Sequence, residues 1–257
     1  MGSITATDEL PALRSQPKII FFTDFDGTIT VQDSNDWLTD NLGYGREKRR
    51  TANIDVLEGR VDFRDVFTGM LESVPVPFNE CVNLLLENVK LDPAFARFYE
   101  WCRDNNVPIV ILSGGMRPII QALLRKLIGE EAVNNIQIVS NDVAVRKGKT
   151  SMDEPNGWEI VFHDDSGFGH DKSIEIRKYS SLKEKPVMLY AGDGVSDLSA
   201  AKETDLLFAK EGRDLVKFCE TEKVPYTTFS DFSSILETVK DLSDGKLSVK
   251  DVAKKFD

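Results

Sequence analysis

The amino-acid sequence predicts an α/β protein, a three-layer sandwich with a central, mostly parallel sheet and an inserted helical cap. Two observations carry the prediction. The first is a set of three apolar runs, residues 18–23, 107–112 and 186–191, with the length and unbroken hydrophobicity of strands buried on both faces. Each run leads directly into polar or glycine residues: Asp24, then Ser113-Gly114-Gly115, then Gly192-Asp193-Gly194. The carboxyl ends of parallel strands are where open α/β sheets bind ligands. The second is a stretch of about 80 residues between the first two runs, rich in helical patterning and too long for a tight crossover.

In chain order, residues 1–17 read as a flexible polar leader, followed by the strand 18–23. Helical patterns around 35–38, 61–67 and 78–86 make 34–88 the cap, so that 18–33 and 89–257 form the core. Helices are expected at 93–105 and at 118–127, the latter opening on a proline that a first helical turn tolerates. Between 136 and 160, short β-prone runs suggest strands or a hairpin, with Asn156-Gly157 as a type I′ turn. After the strand 186–191 come a helix at 197–202, a strand at 206–209, and helices at 215–219 and 232–242.

The chain has 257 residues with 32 basic and 43 acidic side chains, a formal charge of −11. A negative surface with no basic stripe argues against nucleic acid as a partner. Cys81, Cys102 and Cys219 lack the spacing of a zinc site or a disulfide scaffold, which points to a reducing compartment. No run of 18 apolar residues and no signal-peptide core is visible, so a soluble cytoplasmic protein with no membrane partner is expected. Gly2 does not read as a myristoylation site, because Ala6 stands where Ser or Thr is wanted.

Asp24 and Asp26 flank Phe25 just after a buried strand, and an extended chain points both carboxylates the same way. They suit a shared ligand or metal; an exposed turn pivoting on Gly27 is the plainer alternative. Asp193 and Asp197 follow another buried strand. So many acids at one sheet edge repel one another unless a cation joins them.

Taken in order, Asp24-Phe25-Asp26-Gly27-Thr28, Ser113-Gly114-Gly115, Lys172 and Gly192-Asp193-Gly194-Val195-Ser196-Asp197 resemble the four motifs of the haloacid dehalogenase-like hydrolases. Within that superfamily the chain looks like the phosphoserine-phosphatase-like branch, and especially the enol-phosphate phosphatases of methionine salvage. The likeness spans most of 18–235, with the cap weakly matched. It implies a Rossmann-like core and a Mg²⁺-dependent phosphatase working on a small phosphorylated metabolite as a monomer or homodimer. Asp24 would be the nucleophile that forms an aspartyl phosphate, and Asp26 the acid and base. Mg²⁺ would be held by the Asp24 carboxylate, the Asp26 carbonyl and Asp193, with Asp197 supporting from behind.

Ser113, Gly114 and Gly27 would contact the phosphoryl oxygens, although a simple strand-to-helix turn explains such residues as well. Lys172 would aim its ammonium at the phosphate and Asp24; Lys185 is the rival. Asp33 suits either a substrate contact or a helix N-cap. His170 could reach substrate or rest in a loop, and His163 lies in the same segment. Arg60 could bind a substrate carboxylate, with Arg46, Arg49, Arg50 and Arg64 as comparable candidates. A phosphomutase or other phosphotransferase, a prenyl diphosphate phosphatase, and a catalytically silent metabolite-binding protein are the alternatives.

Overall fold

The period of two along Ile19, Ile20, Phe21 and Phe22 divides the core. In the computed structural model, which describes residues 10–253, these residues lie in β1 (Ile19–Thr23), where Ile19 and Phe21 enter one buried cluster and Ile20 and Phe22 enter another. The other strands are β2 (Ile109–Met116), β3 (Gln137–Val145), β4 (Trp158–Val161), β5 (Val187–Gly192), β6 (Leu206–Lys210) and β7 (Thr227–Phe229). They form one seven-stranded sheet in the order β4-β3-β2-β1-β5-β6-β7, parallel throughout except for the β3/β4 pair. β1 is central, which explains a strand apolar on both faces.

Helices cover both sides. On one, Phe21 meets Phe98 of α5 (Phe95–Asp104) with ring centroids 4.7 Å apart, and Phe95 meets Phe232 of α10 (Phe232–Ser243) at 4.8 Å. On the other, Phe22 meets Tyr179 of α8 (Lys172–Ser180) at 5.2 Å. These edge-to-face pairs seat the rings by quadrupole as well as by buried area. Further helices are α6 (Arg117–Leu127), α7 (Glu130–Asn135), α9 (Asp214–Glu222) and α11 (Val249–Val252).

Between β1 and β2 the chain makes a four-helix insert: α1 (Ser34–Leu42), α2 (Arg46–Leu57), α3 (Phe63–Glu72) and α4 (Phe78–Asn88). The outgoing and returning segments pair antiparallel at Thr30 and Leu91, with Val31 N–H donating to Lys90 O at 2.8 Å and Asp92 N–H to Ile29 O at 2.8 Å. A second tie joins the insert to the core. Arg64 donates its backbone N–H to Gly167 O and its guanidinium to Asp164 O, both at 2.7 Å, and lies 4.4 Å from the centre of the Phe162 ring.

Three local expectations change. Asn156-Gly157 is not a two-residue hairpin turn: Pro155 and Asn156 (φ 54°) occupy the middle of a turn closed by Gly157 N–H on Glu154 O at 2.8 Å, a type II pattern. The helix expected at 197–202 is a 3₁₀ turn (Val195–Asp197) followed by turns, because Asp197 N–H and Ala200 N–H bond three residues back. The leader is anchored from Leu10 onward, since Leu10 and Ala12 are buried in the second cluster around a 3₁₀ turn at Pro11–Leu13; residues 1–9 lie outside the described residues.

Candidate active site

β1 ends at Thr23, and Asp24 N–H donates to Ala191 O at 2.8 Å, tying the first carboxylate to the end of β5. Phe25 turns into the core, and beyond the end of β1 the strand alternation expected to aim Asp24 and Asp26 alike no longer holds: Asp24 meets Lys172, whereas Asp26 meets the start of α1. The chain then tightens, with Ile29 N–H returning to Phe25 O at 2.9 Å. Gly27 has φ +76°, and a Cβ there would sit 2.5 Å from Asp193 Oδ2. Glycine is needed both for the backbone and for the close approach of Asp193.

Lys172, the first residue of α8, is wholly buried and donates to Asp24 Oδ1 at 2.8 Å, Asp197 Oδ1 at 2.7 Å and Ser196 Oγ at 3.3 Å. Burial alone would depress its pKa, but Asp197 and Asp24 outweigh burial and hold it above the ordinary lysine value. Lys185 is paired with Asp205 at 2.9 Å in an exposed setting instead.

Asp197 has no oxygen to spare. Lys172 and the Tyr190 hydroxyl take one, and the N–H groups of Asp193 (2.9 Å) and Gly194 (3.0 Å) take the other. It holds the loop and the lysine, as a supporting acid should.

Oxygens of Asp24, Asp193 and Asp197 lie within 4.8 Å of one another. Burial, then Asp24, Asp197 and Asp33, push the Asp193 pKa well above the usual range, while burial raises Asp24 to about 7 against the pull of Lys172. Lys172 is committed to Asp24 and Asp197, and Arg213 reaches Asp193 only at 3.9 Å. This donor set fits a hard divalent cation such as Mg²⁺, held by oxygens of Asp24 and Asp193.

Asp26 points elsewhere. Its carboxylate accepts from Ser34 N–H at 2.8 Å and Asn35 Nδ2 at 3.0 Å, at the start of α1. Burial and then Asp33 raise its pKa well above the carboxylate range, which keeps a proton available. A Cβ on Gly115 would be 2.6 Å from Asp26 Oδ2 and 3.2 Å from Ser113 Oγ, so the acid and the serine converge there.

A cavity of about 670 Å³ opens above Asp24, Gly27 and Asp193 and is roofed by α1, α2 and α3 through Trp37, Ile54, Leu57, Phe63 and Phe67. Asp33 lines it and is also the N-cap of α1, accepting from Asp36 N–H at 2.8 Å. Arg46, Arg49 and Arg50 line it too; Arg49 is buried and bound to Asp36 (2.5 Å) and Asp40 (2.7 Å). Arg60 pairs with Asp55 and Glu58 outside the cavity lining, and Arg64 is the tie to the core. Ser113 is fully buried, its Oγ accepting from Gly115 N–H at 3.0 Å. His170 is buried against Ser113 O at 3.0 Å and does not line the cavity.

Neither Tyr190 nor Asn35 stands out in the sequence as a site residue. Tyr190 could be suspected from a hydroxyl in an otherwise apolar strand; Asn35 carries no distinguishing spacing.

A buried carboxylate nucleophile clamped by lysine, a second carboxylic acid and a site for a divalent ion, at the carboxyl edge of a parallel sheet, define a phosphatase that works through an aspartyl phosphate. The chain belongs to the haloacid dehalogenase-like hydrolases, whose family model matches residues 21–202. It is 49% identical over 233 residues to Pdp3-interacting factor 1 of Schizosaccharomyces pombe, covering 90% of this chain and 98% of that protein. It is 46% identical over 243 residues to polyol phosphate phosphatase PYP1 of Saccharomyces cerevisiae, covering 91% and 98%. A 2-hydroxy-3-keto-5-methylthiopentenyl-1-phosphate phosphatase of Bacillus cereus is 27% identical, covering 88% and 98%, so the methionine-salvage likeness is a distant one. Among solved structures, a substrate-bound phosphoserine phosphatase shares the fold with a TM-score of 0.64 at 16% identity, covering 86% of this chain and 98% of that one.

Proposed function

We propose that this chain releases inorganic phosphate from a small polyol phosphate, with residues 34–88 as the cap that admits and encloses the leaving group. The observation that carries it is Asp24, clamped by Lys172 beside Asp193, at the floor of a 670 Å³ cavity. That volume accommodates a small metabolite. Asp33, at the cavity wall beside α1, suits a hydroxyl of such a chain, whereas Asp36 and Asp40 are taken up by Arg49; the name of the S. cerevisiae relative supports the same substrate class.

Mg²⁺, when bound by Asp24, Asp193 and the Asp26 carbonyl, supplies the positive charge that offsets the carboxylates and the phosphate. Asp24 attacks phosphorus in line, and its Oδ forms a P–O bond as the bond to the leaving alcohol breaks. Asp26 gives its proton to the departing oxygen. Its carboxylate then takes a proton from water, which attacks phosphorus and frees Asp24. Lys172 steadies Asp24 throughout, while Ser113 and the Gly114 amide hold phosphoryl oxygens; the Gly27 N–H is instead given to Thr30 Oγ1 at 3.2 Å. Asp33 faces the leaving group. Three unpaired, buried cysteines fit the reducing cytoplasm.

A panel of polyol, sugar, amino-acid and enol phosphates assayed with Mg²⁺ tests this reading. The highest kcat/KM is expected for a polyol phosphate, with free phosphate as product and turnover at least ~10³-fold lower in Asp24→Asn. Transfer of the phosphate to another alcohol, or equal turnover by that variant, would overturn it.

A further inference from the structure

Ser113, Gly114 and Gly115 lie where β2 slips against β3. The register runs in step to Ser113 beside Ser140 and resumes at Met116 beside Asn141. Side chains grip two carbonyls in this slip. His170 Nδ1 donates to Ser113 O at 3.0 Å, and Asn141 Nδ2 donates to Gly114 O at 2.7 Å. Both residues are buried, at 1% and 0% exposure.

Each grip is itself fixed. Asn141 Oδ1 accepts from His163 N–H at 2.8 Å, which settles which end of the amide faces Gly114. His163 Nε2 in turn lies 3.1 Å from Glu175. The His170 ring packs on the His163 ring with centroids 4.6 Å apart, and its Nε2 is buried with no partner among the described residues. A buried unpaired ring nitrogen is costly, and it persists here because Nδ1 is committed to Ser113.

We propose that His170 and Asn141 are positioning residues that aim the phosphate-binding groups of β2, an inference that rests on the phosphatase reading above. A peptide is planar and trans, so its N–H lies on the edge opposite its C=O. Gripping Ser113 O turns the Gly114 N–H away from His170, and gripping Gly114 O turns the Gly115 N–H away from Asn141. Gly115 N–H meets Ser113 Oγ at 3.0 Å, so the serine lone pair is occupied and its own proton is left to donate to a phosphoryl oxygen. Neither residue touches the reacting atoms. They act through the peptide planes on either side of Gly114.

The test uses the full chain with Mg²⁺, measuring calorimetric affinity for inorganic phosphate, kcat and KM on p-nitrophenyl phosphate, and melting temperature. His170→Leu and Asn141→Asp, each close in volume but lacking the donor, are expected to raise the phosphate dissociation constant and KM about tenfold or more. His170→Asn, whose amide nitrogen falls near the place of Nδ1, is expected to restore both to within about threefold of the original. Should His170→Leu fail to fold, Asn141→Asp decides, since it keeps the acceptor for His163. Unchanged phosphate affinity in Asn141→Asp, or losses in His170→Asn equal to those in His170→Leu, would overturn the proposal. If the unmodified protein neither binds phosphate nor hydrolyses the aryl ester, the phosphatase reading fails first and the positioning role falls with it.

Discussion

Lys172 donates to Asp24 across 2.8 Å with the lysine side chain fully enclosed and the aspartate only 6% exposed. A buried pair of this kind is stabilising only while both partners are present. Lys172→Met therefore leaves Asp24 and Asp197 without their shared cation. Turnover is expected to fall at least ~10²-fold and unfolding free energy by about 3–5 kcal/mol, read by steady-state kinetics and urea titration.

Asp24 and Asp193 repel each other until a cation joins them. Chelation is expected to abolish phosphate release and lower the melting temperature, and added Mg²⁺ to reverse both. At a free concentration about 100 times its dissociation constant the ion would stabilise the fold by about 2.7 kcal/mol. Differential scanning fluorimetry across a Mg²⁺ series checks this, and a flat series would count against the site.

Gly27→Ala asks more of the backbone than of the volume it adds. The new Cβ would stand 2.5 Å from Asp193 Oδ2 at a φ of +76°. Mg²⁺ affinity is expected to drop about tenfold or more as Asp193 is displaced, with a further stability loss of about 1–2 kcal/mol from the left-handed backbone. Metal titration and thermal melts separate the two effects.

His170 gives a signature in mild acid. Burial first, then Lys172 and His163, lower its pKa from 6.5 to about 4 in the folded chain. The unfolded chain takes up this proton first, so the residue's stabilising contribution is complete above pH 6.5 and is lost as pH falls towards 4. The loss amounts to at most about 3 kcal/mol. Denaturation midpoints between pH 7 and 4 should slope less in His170→Asn than in the original.

Arg64 binds α3 to the segment that leads into His170 and Lys172. Arg64→Ala is expected to speed amide exchange over 162–169 and to raise KM severalfold, with a smaller effect on kcat. An unchanged exchange pattern would show that the tie is dispensable.

The strands that carry the site are legible in sequence because they are apolar on both faces and stop abruptly at Asp24, Ser113 and Gly192-Asp193. Those stops survive in three dimensions as adjacent strands β1, β2 and β5. Asn141 and His170 are not legible, because each binds a backbone carbonyl, a group every residue has, so no partner residue type marks the contact. The 197–202 segment misleads for a related reason. Its periodicity is helical, but the Asp197 carboxylate collects the N–H groups of Asp193 and Gly194 and holds the chain in a tight 3₁₀ turn. Of the arginines in the insert, sequence singles out none for the cavity. Arg49 is buried there because Asp36 and Asp40, on the neighbouring helix, neutralise it.

The paired segments at Thr30 and Leu91 give the four-helix insert a shared doorway into the core. Because its two ends are already side by side, the length of chain between them changes the loop-closure entropy only slightly. Its first turn is another matter, since Ser34 and Asn35 hold the Asp26 carboxylate and Leu38 enters the same buried cluster as Phe21. Changes of length confined to the chain beyond Asn35 would leave both of those hydrogen bonds to Asp26 in place.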